Sequence, residues 1–147
     1  MVPLDSKVVF AETRAAIIRD DTAELLGVVD KLSILADKSA DKAPVVDKLI
    51  QIEEHLAVQG RFQHAIDVCE KAAAQASLGG RQEEIIVNDI LRYQGKLPAI
   101  EQRRAALGIA LRFVDPDSPL EDRIFSAIRK TETEFYFQAP AVATAQL

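Results

Sequence analysis

Residues Val58 to Ala72 read VQGRFQHAIDVCEKA, with a glycine and then an aromatic set between two helix-forming runs. Gly60 interrupts the pattern. After it, Phe62, Ala65, Ile66, Cys69, Ala72, Ala73 and Ala76 recur at the spacing of one helical face. Most of these residues are small, so a neighbouring helix backbone can approach closely along the stripe. Upstream, Val45, Leu49, Ile52 and Leu56 recur at i, i+4, i+7 and i+11 and mark a second face. Two amphipathic helices meeting at a glycine predict a helical hairpin with Phe62 at its corner.

The rest of the chain supports an all-α fold. Aromatic content is 5%, Trp is absent, and Ala, Leu, Ile, Glu, Lys and Arg are abundant, which favours helices over strands. Helix ends carry their own signals. Asp21 and Glu24 have capping-box spacing, as do Ser118 and Glu121, with Pro119 at the first helical position. Pro44 and Pro98 fit first turns, while Gly79-Gly80 and Gly95 fit helix C-termini. Seven antiparallel helices are expected, over about 6–19, 21–37, 41–59, 61–78, 81–94, 97–113 and 119–137. They form one domain over 1–138, followed by a flexible tail at 139–147.

Composition limits the function. The 147 residues suffice for one core of ordinary size. A net charge of −5 and a pI near 5.1 oppose nucleic-acid binding, which needs clustered Lys and Arg. No apolar run approaches the roughly 20 residues of a membrane span. Cys69, alone of its kind, excludes an internal disulfide, and the opening MVPLDSKVVF lacks a secretory pattern, so a cytoplasmic setting is expected.

The opening stretch has an echo. Gln59-Gly60-Arg61-Phe62 aligns with Gln94-Gly95-Lys96-Leu97, and from Ala65 onward the offset is 34: Ala65 with Ala99, Ile66 with Ile100, Ala72 with Ala106. A period of that length is the mark of a helical-hairpin solenoid. Gly60, Phe62, Ala65 and Ala72 resemble the turn glycine, the following aromatic and the small positions of a tetratricopeptide repeat. The likeness covers 45–113 as hairpins 45–78 and 80–113, with the hairpin 6–37 and the helix 119–137 as caps. Ile17, Ile18, Leu25, Leu26, Val29 and Leu32 supply the apolar stripe of the first cap, and Leu120, Ile124, Ile128 and Phe135 that of the second. Departures from the repeat are Glu53 at a small position, Leu56 at an aromatic one and Ser77 at the closing proline. An irregular helical bundle is the alternative architecture.

No motif commits the chain to a chemistry. Glu53-Glu54 and Glu83-Glu84 are adjacent on their helices, where neighbours point about 100° apart, so both pairs read as solvated faces. His55 and His64 lack the Glu-x-x-His spacing of di-iron bundles, and with Cys69 they match no zinc pattern. They read as two surface histidines and a structural cysteine. Gly79-Gly80 lacks the Gly-Lys-Ser/Thr of a phosphate loop. No catalytic residue, metal or cofactor is expected, and the chain is not read as an enzyme.

Binding remains. The tetratricopeptide resemblance implies a groove lined by first helices: Asp47, Ile50, Glu54, Ala57 and Val58, then Gln82, Ile85, Asp89, Arg92 and Tyr93. Ile50, Glu54, Val58, Ile85, Asp89, Arg92 and Tyr93 are the candidate partner contacts of an adaptor or chaperone, with Ile50 and Ile85 alternatively in the core. The implied partner is an apolar and basic segment of another protein. On that reading charged residues at Ile50 and Tyr93 remove binding without unfolding the chain. Two other readings compete. One is a homo-oligomer joined through Val8, Val9 and Phe10 or through Phe135, Tyr136 and Phe137; the other is an enzyme or metal protein built on His55, His64 and Cys69.

Overall fold

The computed structural model describes residues 5–146, with side chains described through Phe137. Among the described residues there are seven α-helices and no strand. They are α1 (Ser6–Arg19), α2 (Thr22–Asp37), α3 (Ala43–Val58), α4 (Phe62–Gln75), α5 (Arg81–Gln94), α6 (Ile100–Phe113) and α7 (Pro119–Gln146). No helix among these residues is long and apolar enough to cross a membrane.

Each helix lies against the next in sequence. In addition α1, α3, α5 and α7 touch in succession, as do α2, α4 and α6, and among the described residues no helix reaches further along the chain. The result is two layers, odd helices on one side and even on the other, in the near one-dimensional contact order of stacked hairpins. The core runs continuously between the layers through Leu25, Leu32, Leu49, Leu56, Ile66, Ile86 and Ile90, all fully buried.

At the hairpin corner Gly60 has φ 78°, the left-handed region where a side chain is strained. Its N–H donates to Ala57 O at 2.9 Å, and Arg61 N–H donates to Leu56 O at 2.9 Å. These two bonds close α3 as a Schellman motif and release the chain into α4. Ala65, Ile66, Cys69, Ala72 and Ala73 are buried where the two helices meet, as their spacing predicts. The echo does not repeat this turn: Gly95 has φ −65° and continues right-handed, with Lys96 N–H on Tyr93 O and Leu97 N–H on Gln94 O.

Several expected boundaries shift. The helix after the echo begins at Ile100, so Pro98 precedes its first turn; the residue before a proline is held out of the helical region, which delays the start. Gly79, at φ 76°, makes the left-handed turn between α4 and α5, and Gly80 serves as the N-cap of α5 rather than ending α4. Asp21 accepts from Glu24 N–H at 3.2 Å, but the Glu24 carboxylate pairs with Arg19 at 2.6 Å, leaving the box half made. Ser118 Oγ donates to Asp115 O at 2.8 Å instead of capping α7. The backbone of α7 continues to Gln146, past the end expected at 137 and through most of the segment expected as a tail. In the first cap Ile18 is 76% exposed, outside the core its stripe had suggested.

The N-terminal hairpin is tied to the corner by one residue. Asp20, itself left-handed at φ 54°, accepts from His55 Nε2 at 2.8 Å and lies 3.5 Å from the Arg61 guanidinium. His55 is therefore a half-buried hydrogen-bond partner of Asp20 rather than a surface histidine.

Candidate functional site

The odd layer brings α3 and α5 side by side, and the face they share carries charged residues, an aromatic ring and one exposed apolar side chain. Residues three or four apart on each helix, Glu54 with Ala57 and Val58 on α3, Asp89 with Arg92 and Tyr93 on α5, project to the same side. Glu54, Ala57, Val58, Phe62, Arg92, Tyr93 and Lys96 line a hollow of about 380 Å³. Phe62, placed by the Schellman turn, meets Tyr93 with ring centroids 6.0 Å apart, and the Arg92 guanidinium lies 5.3 Å from the Tyr93 ring. Val58 is 83% exposed at the rim.

Not all the implied groove residues reach this hollow. Glu54, Val58, Arg92 and Tyr93 line it; Ile50 and Asp89 are buried, and Ile85 is half-buried against the core. Gln82 Nε2 donates to Asp47 Oδ1 at 2.7 Å and to Ala43 O at 2.8 Å, so these two groove positions pin the start of α5 to the start of α3. Tyr93 is also buried apart from its contact with the hollow, so charged residues at Ile50 and Tyr93 test the fold rather than the binding.

Below the hollow lies a cluster that the sequence reading placed in solvent. Glu53 is 0% exposed, and neither of its carboxyl oxygens makes a hydrogen bond. Burial, and secondly the neighbouring Asp89 carboxyl, push its pKa up to about 10. It is a neutral acid at pH 7 in the absence of a compensating charge. Burial likewise pushes the Cys69 thiol and the Tyr93 phenol up, with the neighbouring Glu53 carboxyl a lesser cause in each. Glu54, on the solvent side, is raised by partial burial and by Asp89. Arg92 donates to Asp89 Oδ1 at 2.7 Å, while Asp89 Oδ2 has no partner.

Glu83 overturns the solvated reading of the second pair in a different way. It is buried, and both its oxygens are used: Oε2 accepts from Gly79 N–H at 2.6 Å and Oε1 from Asp115 N–H at 2.9 Å. Glu83 is thus a brace between two loops. The signal for Glu53 and Glu83 was present in the spacing. Glu53 falls between Leu49 and Leu56 on an apolar stripe, and Glu83 is followed by Ile86, Val87 and Ile90 at i+3, i+4 and i+7.

Among the described residues, the acidic or metal-ligating side chains that converge in a group of three are Glu53, Glu54 and Asp89, and His55, His64 and Cys69 form no such group. Comparison with protein-family models, with curated proteins and with solved structures finds no match for this chain.

Proposed function

We propose that this chain is a non-catalytic interaction module, an adaptor or chaperone of the tetratricopeptide-like kind, that seats an amphipathic helix of another protein against the face shared by α3 and α5. The observation that carries the reading is Val58, a β-branched apolar side chain 83% exposed beside a concavity floored by Phe62 and Tyr93. Apolar surface left at the edge of an apolar hollow is what a helix-in-groove partner covers. A hollow of about 380 Å³ is near the lower end of ligand-pocket sizes, about 300–1,000 Å³, and suits one or two anchoring side chains. Glu54 stands on the rim with Arg92 and Lys96, so the partner's anchor is flanked by charges of both signs rather than by basic residues alone.

The test compares affinity capture from the native organism by the wild-type chain, by Val58→Asp and by Ile18→Asp. Both sites are exposed, so both variants keep the helical circular dichroism and melting temperature. A partner lost from Val58→Asp and kept by Ile18→Asp supports the reading; equal capture by all three chains removes it.

A second reading, self-association, is favoured by Tyr136 and Phe137, both well exposed at the far end of the array from α1. Light scattering on Tyr136→Ser with Phe137→Ser distinguishes it: a fall in mass supports an oligomer, and a mass unchanged from wild type sinks it.

A further inference from the structure

Glu53 and Glu54 of α3 and Asp89 of α5 each bring a carboxyl oxygen to within 4.8 Å of the others. Two of the three side chains are buried, at 0% and 6% exposure for Glu53 and Asp89. An acidic cluster on a surface is held apart by water and carries no implication. Here both oxygens of Glu53 and Oδ2 of Asp89 are shut away from water and make no hydrogen bond. Buried polar atoms in folded proteins have partners; the Tyr93 phenol and the Cys69 thiol stand near Glu53, but neither closes a hydrogen bond onto these oxygens, and three acceptors left without a bond at one place make a site that a cation would fill.

We propose that Glu53, Glu54 and Asp89 form a binding site for a hard divalent cation of the size of Ca²⁺ or Mn²⁺. Two oxygens at calcium's ligand distance lie up to about 4.6–5.2 Å apart across the ion, and the three carboxyl oxygens fall within that span. Charge closes as well. Three carboxylates against one divalent ion leave a single negative charge, and the Arg92 guanidinium on Asp89 Oδ1 compensates it. Glu54 is exposed and gives the ion a route in, with water filling the remaining positions. Cys69 is not among the converging ligand atoms, which are all carboxylate oxygens, and oxygen ligands select a hard cation over a soft one. Glu53 also accounts for its own position: it stands on the apolar stripe of α3, where the tetratricopeptide pattern has a small residue.

This inference is independent of the docking reading and is tested without a partner. The purified chain, stripped with EDTA, is titrated with CaCl2 and with MnCl2, following heat for the first and the electron paramagnetic resonance of free Mn²⁺ for the second. One ion per chain is expected at submillimolar affinity. Glu53→Gln and Asp89→Asn keep shape and remove charge, and each is expected to weaken binding by at least about tenfold, the loss that follows removal of even a supporting contact. Glu54→Gln, at an exposed position, gives the same expectation if a buried variant fails to fold. Absence of saturable binding by the folded wild-type chain at millimolar ion overturns the proposal. So does binding left unchanged in Glu54→Gln and Glu53→Gln, or weakened equally by Glu84→Gln on the solvated side of α5.

Discussion

Glu53 is a fully buried glutamate on the apolar stripe of α3, and its behaviour follows from that. The folded chain keeps a proton on it up to about pH 10, whereas the unfolded chain releases that proton near pH 4.5. Between those values the unfolded state binds fewer protons, so stability falls as pH rises, by about 1 kcal/mol per pH unit from this group alone. The charged or titratable groups facing it are Glu54 on its own helix, Cys69 from α4, and Asp89, Arg92 and Tyr93 from α5. In EDTA, urea unfolding of wild type should show a steeper loss of stability between about pH 6 and about pH 8 than Glu53→Gln. Parallel losses would mean that Glu53 is already ionised in the folded chain. At Ala65 the residue-scale expectation is steric. It is fully buried where α3 and α4 meet, so Ala65→Leu should destabilise by roughly 1–3 kcal/mol in denaturant unfolding; a neutral substitution would contradict the close approach of the two helices.

At the scale of elements, what the sequence states well is periodicity, and what it states poorly is the ends. The seven helices were legible from apolar residues at helical spacing, as in α3 and α4, together with the cap, proline and glycine signals between them. The corner at Gly60 was legible because a glycine followed by an aromatic has few other uses there. The ends shifted where a side chain found a better partner than the cap its spacing suggested: Glu24 took Arg19, and Ser118 took Asp115 O. Gly60 and Gly95 sit in similar local sequence yet turn in opposite senses, because after Gly95 the proline at 98 postpones the next helix to Ile100. Adjacency to Glu84 makes Glu83 look solvated, whereas its place on the buried stripe of α5 puts it inside. As a brace for Gly79 and Asp115 it makes its own prediction. Glu83→Gln turns one acceptor into a donor against a backbone N–H, and should cost roughly 1–3 kcal/mol. Hydrogen exchange at Gly79 and Asp115 should accelerate with it; protection unchanged at both amides would show that the loops hold without the brace.

Over the whole molecule, the two-layer succession explains why the α3–α5 face was only half legible. Resemblance to a tetratricopeptide array implied that first helices line a groove, and α3 and α5 do lie side by side in the odd layer. A repeat pattern does not say how far each residue is turned toward that face. Glu54, Val58, Arg92 and Tyr93 reach the hollow, whereas Ile50 and Asp89 turn inward and Asp47 and Gln82 bind each other. Phe62, the first residue of α4, and Lys96, in the turn after α5, complete the hollow, and positions on α3 and α5 alone could not include them. The same inward turn that removes Asp89 from the groove places it beside Glu53.

The measurement that bears most directly on the α3–α5 face as the working surface is photo-crosslinking in the native cells, with a benzophenone amino acid at Val58 in one chain and at Ile18 in another. Both positions are exposed, at 83% and 76%, and they belong to different parts of the array. A discrete adduct of one defined protein from Val58, absent from Ile18, is the predicted result. The same adducts from both positions, or none from Val58 while the chain is folded and abundant, would contradict it.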